Sequence, residues 1–328
     1  GFTYKISGQH LLDFNSAYLT KAPNIRSSFE NARQNNNVVN ELESEKIFTI
    51  DGSYVVRTPI ITARLTGYYT SFRDGTEINF FFTESGSTFT QEVMHNIDRR
   101  NFGGELGIEA QITPTIKLKG VAAMGQFTFN NNPDVYYASD DFISDVTFGD
   151  GTTKLKNVHV AGGPERAFQL GFEYRDPDYW WVGATVNHFS RAFVDASALK
   201  RSDAFAIDFD LISEETLRLG GPITGSPYND YDEAVARDLL TQEQFPSYFL
   251  VNMTGGKSWK VGDYFIGFFV TINNLLDQEY RTGGFEQSRR VGYRDQLQEQ
   301  NNPNGPVFGN RYFFGNGTTY FANVYIRF

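Results

Sequence analysis

Splitting the chain into odd and even positions separates apolar from polar side chains in segment after segment. In "RAFQLGFEYR" (residues 166–175), Phe168, Leu170, Phe172 and Tyr174 share one parity and Gln169, Glu173 and Arg175 the other. In "NFGGELGIEAQI" (residues 101–112), Phe102, Leu106, Ile108, Ala110 and Ile112 oppose Glu105, Glu109 and Gln111. Ile266, Phe268, Val270 and Ile272 share a face in "YFIGFFVTINN", as do Trp180, Val182, Ala184 and Val186 in "WWVGATVNHF". The last segment, "NGTTYFANVYIRF", does the same with Tyr320, Ala322, Val324, Ile326 and Phe328. A period of two identifies strands with one apolar face, and that face needs a cover.

The connections carry a second pattern. Short turns at Ser7 to Gln9, Thr58-Pro59, Thr113-Pro114, Asp176-Pro177-Asp178 and Val261-Gly262-Asp263 are built from turn-forming residues. Between them lie long polar stretches at residues 21–44, 84–97, 130–163, 192–244 and 278–309. Asp74-Gly75 would ordinarily signal a hairpin, but a turn there puts the next long loop on the wrong side. A long strand over residues 60–84 with a bulge or an overhanging extension keeps the alternation intact. Asp150-Gly151 then turns a local hairpin inside its long loop. The reading gives about eleven strands, the first at residues 2–6.

Composition decides what covers the apolar faces. Aromatics make up 16% of 328 residues, yet mean hydropathy is −0.40 and charged residues reach 21%. Strands with lipid on one side and water on the other intersperse apolar and polar residues in this way. No run approaches the ~20 apolar residues of a membrane helix, and a closed barrel is the other backbone arrangement that leaves no amide unpaired in lipid. The expected fold is all-β, a transmembrane antiparallel β-barrel wall over residues 1–328. Trp180 and Tyr174, at strand ends, suit an interfacial aromatic girdle. The start at Gly1 shows no signal peptide, which fits a processed or truncated chain. Bacterial single-chain barrels have even strand numbers, so an odd set reads as part of a barrel, in size near half of a 22-stranded one.

Net charge of −10 without a basic stripe argues against nucleic acid. The absence of cysteine removes disulfides and thiolate chemistry. "TGGKSWK" (residues 254–260) contains Gly-Lys-Ser, but a phosphate loop would need Gly where Val251 stands. No GxSxG, HExxH or GxGxxG occurs, so an enzyme is not expected, nor is a cofactor. His10, His95, His159 and His188 lack ligand spacing and read as surface or rim residues. Asp134, Asp140 and Asp141 offer hard oxygen ligands without EF-hand spacing, and a solvated loop is the alternative; no metal site is assigned. Glu214-Glu215 reads as solvated charge, and residues 228–245 as holding a short helix with Asp230 or Asp232 near its start.

Several stretches resemble one family: "YLTKAPN" (residues 18–24), "ARLTGYYTSFRDGTEI" (63–78), "YRDPDYWWVGATVNHFS" (174–190), "NNLLDQEY" (273–280) and the terminal Phe328. The chain is similar to TonB-dependent outer-membrane receptors, particularly those of Bacteroidota, and maps onto roughly the last eleven of their 22 strands. The resemblance implies a plug domain and TonB box that are not visible here. It also implies an assembly signal in Tyr320, Val324, Ile326 and Phe328, residence in the outer membrane of a Gram-negative bacterium, and energy from the TonB complex. Implied partners are outer-membrane lipid, the rest of the same barrel, its plug and, in some members, a surface lipoprotein lid.

Inward polar and aromatic positions are Arg64, Glu105, Glu109, Gln169, Glu173, Trp181, Thr185, Asn187, Arg191, Asn252 and Asn273. Many of these would contact the plug. For a ligand at the lumen mouth and outer loops the candidates are Trp181, Asn187, Arg191, Asn273, Arg281, Phe285, Arg289 and Arg290; the arginines and Phe285 suit an anionic or ring-bearing group. The leading expectation is an active nutrient importer. A passive porin-like channel or structural barrel subunit, and a secreted soluble β protein, are the alternatives.

Overall fold

The computed structural model describes residues 1–83 and 88–328. Its strands are β1 (Phe2–Lys5), β2 (His10–Lys21), β3 (Glu45–Arg57), β4 (Ile61–Phe82), β5 (Phe89–Gln111), β6 (Ile116–Phe129), β7 (Asp134–Ala138), β8 (Val146–Phe148), β9 (Arg166–Arg175), β10 (Trp180–Ser190), β11 (Gly221–Ile223), β12 (Tyr248–Val261), β13 (Tyr264–Asn273), β14 (Arg281–Phe285), β15 (Arg311–Phe314) and β16 (Thr319–Arg327). Eleven of them form one antiparallel wall in the order β1-β2-β3-β4-β5-β6-β9-β10-β12-β13-β16. Among the described residues β1 and β16 do not pair, so the wall is an open part of a barrel. All five short turns lie where the sequence placed them.

Register makes the alternation collective. Pairs such as Leu12↔Tyr54, Tyr54↔Leu65, Leu65↔Leu106, Leu106↔Ala122, Ala122↔Phe168, Phe168↔His188, His188↔Phe249 and, further along, Lys257↔Phe268 and Phe268↔Val324 carry one parity across the sheet. That face leaves Leu170 73% and Val324 75% exposed, and Tyr320 and Phe328 stand out still further. The opposite face carries the polar set, with Lys117–Glu109 at 2.7 Å and Lys119–Glu173 at 3.0 Å. On this inner face a cavity of about 340 Å³ is lined by Arg57, Thr62, Arg64, Glu109, Lys119 and Gln169. Trp180 packs on Tyr174 (4.9 Å between rings) at the short-turn end, on the apolar side.

The expectation of a long polar loop at residues 84–97 is overturned. β5 begins at Phe89, and it pairs with β4 up to Phe82; Glu84 lies outside the described residues. β4 and β5, of 22 and 23 residues, are about twice the 9–11 residues that cross a bilayer. They overshoot through a double irregularity between Phe72 and Glu77, where Asp74 (φ 58°) and Asn96 (φ 54°) adopt left-handed backbone. The bulge expected at Asp74-Gly75 is therefore present, and both strands share it.

The remaining long stretches are not simply solvated. With the loop-side ends of β5 and β6 they pack a core around Met94, Ile97, Phe129, Val135, Tyr137, Val146, Phe148, Leu155 and Leu199. On the other face of β7, Val93, Tyr136 and Ala138 are covered by Val39 of the first long loop. "NNNPDVYYASDDF" was open to a solvated reading, yet Val135 to Ala138 are buried because both faces of β7 are covered. Asp134 accepts from Asn96 (2.7 Å), while Asp140 and Asp141 are exposed in a turn. Among the described residues no His, Cys, Asp and Glu group is arranged to hold a metal. The Asp150-Gly151 turn forms, but its arms do not make a hairpin: β8 pairs in parallel with β11, and Thr152 bridges Asp134. His95, expected at the surface, is buried beside Tyr136. Asp232 caps the helix Glu233–Leu239 through the amides of Ala234 and Val235, as its sequence suggested. Glu214 and Glu215 open the short helix Glu214–Leu219, exposed, with Glu215 paired to Arg218.

Candidate functional site: the loop-end mouth of the inner wall

Where β10 ends and β12 begins, the inner parity presents Asn187 opposite Leu250 and Phe189 opposite Tyr248. The Phe189 and Tyr248 rings lie 5.3 Å apart, and Tyr280, entering from the long loop after β13, stacks on Tyr248 at 4.6 Å. The loop then forms β14, which pairs with β15. Glu243 gathers this region: it accepts from Arg281 (2.8 Å), Asn310 (2.8 Å) and the Tyr312 hydroxyl (2.7 Å). Arg281 also lies over the Tyr312 ring, 3.7 Å from its centre. Such a guanidinium has both charge and face occupied.

A second knot ties three strands at the same rim. Glu165, its side chain 1% exposed, accepts from the Phe127 amide (2.9 Å) and from Arg191 (3.1 Å), and bonds His159 Nδ1 (2.7 Å). His159 stacks face to face on Phe193 at 3.8 Å, with Arg191 over the same ring at 5.4 Å. Arg191 adopts φ 57°, and its amino-acid neighbour Ala192 accepts the amide of Phe245.

Beyond the wall, the segment 195–201 is clamped by carboxylates. Arg201 makes a two-pronged ion pair with Glu286 (2.5 and 2.9 Å), both side chains nearly inaccessible. The Ser197 amide donates to Glu286 and the Leu199 amide to Glu92. Burial pushes Glu92 up to about 7, against the smaller opposing effect of its bonds from Asn79 and Leu199. Asp195 is raised to about 6, first by burial and then by the nearby Glu77. Burial likewise lowers Lys200, which donates to Gln296.

The candidates named from sequence do not form one cluster. Arg281 joins the Glu243 knot, and Phe285, 40% exposed, sits in β14 facing the Phe313 ring at 6.0 Å. Arg289 and Arg290 both lie over Phe308 (5.1 and 5.2 Å), and Arg290 pairs with Glu299. Arg191 belongs to the Glu165 knot. Asn187 is nearly buried: it accepts from Gln169 (2.7 Å) and donates to the Leu250 carbonyl (3.1 Å), so its amide is already satisfied. Asn273 stands apart, near Thr319 of β16 at 3.4 Å. Trp181 is at the wrong end for a mouth residue. It sits beside the Asp176–Asp178 turn, opposite Arg175, because it is the second residue of a strand that starts there. Sequence reasoning passed over Glu165, Glu243, Phe189, Tyr248, Tyr280 and Tyr312. The one available signal was parity, which places Phe189 and Tyr248 inward with Asn187.

The family model described as "TonB dependent receptor-like, beta-barrel" matches residues 1–275. The chain belongs to this TonB-dependent receptor-like β-barrel family. No curated protein matches it. Among solved structures it is similar to the copper transporter OprC (14% identity, TM-score 0.56), covering 98% of this chain and 38% of that one. The siderophore receptor PiuA from Acinetobacter baumannii gives 11% identity and TM-score 0.54, over 99% of this chain and 35% of that one. The FrpB iron transporter from Neisseria meningitidis gives 12% and 0.52, over 99% and 38%. These likenesses concern the fold, and the chain spans little more than a third of each.

Proposed function

We propose that this chain is the C-terminal part of the barrel of a TonB-dependent receptor of the Bacteroidota type, an active importer of a nutrient in the outer membrane of a Gram-negative bacterium. The observation that supports it most is the two-faced wall in a chain of this family: a continuous apolar exterior suited to acyl chains and a charged, hydrogen-bonding interior suited to a water-filled lumen. The low share of each similar structure that the chain covers supports the reading of a partial barrel. In the whole receptor β1 and β16 pair with the rest of the barrel, the inner face receives the plug, and the TonB complex draws on that plug. Phe328 with Ile326, Val324 and Tyr320 serves the assembly machinery. A surface lipoprotein lid would rest on the loop layer. The mouth ligand-contact set is drawn from Arg191, Asn273, Arg281, Phe285, Arg289 and Arg290, joined by Tyr248 and Tyr280.

The test uses the full coding region. Expression with its native TonB complex should give saturable ligand uptake that collapses when the proton gradient is discharged, with no stable conductance in planar bilayers. A steady open channel in the absence of TonB would replace the importer by a porin.

A further inference from the structure

We propose that the lipid-facing side of the wall holds, at its loop end, a membrane lipid whose headgroup carries more than one phosphate, and that this site occupies the sector from β3 to β9 and not the sector from β10 to β16. It rests on the outer-membrane barrel part of the reading above and not on active import.

The first observation is where charge falls on the apolar side. Among the described wall residues up to the bulge shared by β4 and β5, the lysines and arginines of outer parity are Lys46, Arg73, Arg100 and Arg166 at the loop end and Lys257 at the short-turn end. Asp98 is the carboxylate of that parity, with Asp74 beside it in the bulge. The loop-end outer positions of β10, β12, β13 and β16 are Ser190, Phe249, Ile272 and Tyr320, all uncharged. Charge on this face is therefore confined to one end and one sector.

The second is depth. Along β5 the outer parity runs Ile112, Ala110, Ile108, Leu106, Gly104 and Phe102, which matches the 9–11 residues that cross a bilayer, and the next outer residue is Arg100. On β9 Arg166 follows Phe168 in the same way, and His188 lies level with Phe168 on β10. The long loops mark this end as the outward one. Both guanidiniums thus emerge where acyl chains give way to headgroups.

The third is that the arginines are open. Lys46 is committed to Glu43 (2.9 Å) and Asp74 (2.7 Å). Among the described residues Arg73, Arg100 and Arg166 have no ion-pair partner, and Arg73 and Arg166 are exposed. Arg100 is aimed by neutral acceptors, its Nε donating to Thr128 (3.2 Å) and one Nη to Asn157 (2.9 Å), which leaves the other Nη for a ligand. Lys156, next to Asn157, is exposed too. Asp98 accepts the Asp74 amide (3.3 Å) and interacts with Arg73, so it offsets part of this charge and not all of it. Free guanidinium forks match phosphate oxygens, and cations at the headgroup level draw anionic lipid.

Spacing sets the number of phosphates. Arg100 stands opposite Thr128 and Arg166 opposite Met124 on the same intervening strand, β6. Strand spacing and rise put them roughly 16 Å apart, while Arg73 is a diagonal neighbour of Arg100 across Ser71. The arrangement suits two phosphates, one near Arg73 and Arg100 and one near Arg166.

The experiment is a native mass spectrometry titration of the full-length receptor in detergent, with an acylated glucosamine disaccharide bearing two phosphates, its dephosphorylated form and inorganic pyrophosphate as probes. The diphosphorylated lipid should bind at least tenfold more tightly than the dephosphorylated one, and a hundredfold excess of pyrophosphate should not displace it. The triple variant Arg73→Gln, Arg100→Gln, Arg166→Gln should lose at least tenfold in affinity with unchanged heat-modifiable gel mobility, and Lys257→Gln should stay within twofold. Should the triple variant fail to assemble, Arg166→Gln alone decides, with an expected loss of threefold or more. Equal binding of the two lipids, displacement by pyrophosphate, an unchanged affinity in the arginine variants, or an equal loss in Lys257→Gln overturns the proposal. Lipid discrimination without energised uptake would leave it standing and count against active import alone.

Discussion

Leu170 and Leu155 lie in the same chain, yet the first is 73% exposed and the second fully buried. The contrast holds for whole regions. Along the wall the large apolar side chains point out of the protein; Val55 is buried within it, and Val93, Met94, Ile97 and Phe129 are buried where β5 and β6 run up into the loop layer. In the loop layer the buried hydrophobic residues meet one another in three clusters, as in a water-soluble domain. The wall's apolar side chains are satisfied by a solvent and the loop layer's by neighbours. A mutation at an apolar site therefore means different things in the two regions.

The largest effect expected from breaking this contrast is in the loop layer. Arg201→Ala leaves Glu286 buried without its partner, which costs about 3–5 kcal/mol. Hydrogen exchange at residues 195–201 should accelerate by orders of magnitude while β9 and β10 keep their protection; equal loosening of both would show that the layers are one cooperative unit. Next comes Leu170→Arg on the outer parity, expected to cost about 2–4 kcal/mol of barrel stability at mid-membrane depth. Gln169→Arg, one residue away and facing inward, should be close to neutral. Heat-modifiable gel mobility of the pair reads this directly, and similar losses from both would end the two-faced account.

The pH dependence of the loop layer sharpens it further. Glu92 has a folded value raised above its unfolded one, so the fold favours its protonated form. Its contribution is full below the unfolded value near 4.5, falls as pH rises, and is lost above about 7. Protection of the Leu199 amide should therefore be greater at pH 5 than at pH 8 through this group, and Glu92→Gln should flatten the difference, worth on the order of 2 kcal/mol. A slope unchanged by the substitution would shift the effect to Asp195, raised to about 6. The smallest effect is local: Asp232→Ala removes two capping bonds from the helix Glu233–Leu239 and costs about 1 kcal/mol. Exchange should rise at Ala234 and Val235 and not in the wall.

The wall was legible because water and lipid impose a strict period of two. Phe168, Leu170 and Phe172 needed no partner to be placed, only parity. The loop layer was illegible for the converse reason. Thr90 to His95 in "TQEVMHN" are buried on both faces, so no alternation marks them, and polar residues such as Gln91 and Glu92 disguise a core strand as a loop. At the mouth, Arg281 could be picked out as a loop cation, but not that Glu243, 38 residues away, would neutralise it. Trp181 had the right parity and the wrong depth, since parity says which face a side chain takes and not how far along the strand it lies.

The paired left-handed residues Asp74 and Asn96 leave the pairing offset between β4 and β5 the same below and above them, from Phe72↔Arg99 to Glu77↔Met94. A single-codon deletion in β5 between Met94 and Asn96 would thus do more than shorten a hairpin. It would exchange the two sides of everything beyond, turning Val93 toward the neighbours of Met94 and Met94 toward those of Val93. In the evolution of this gene, length changes in that stretch should be confined to compensated pairs, one codon in each arm.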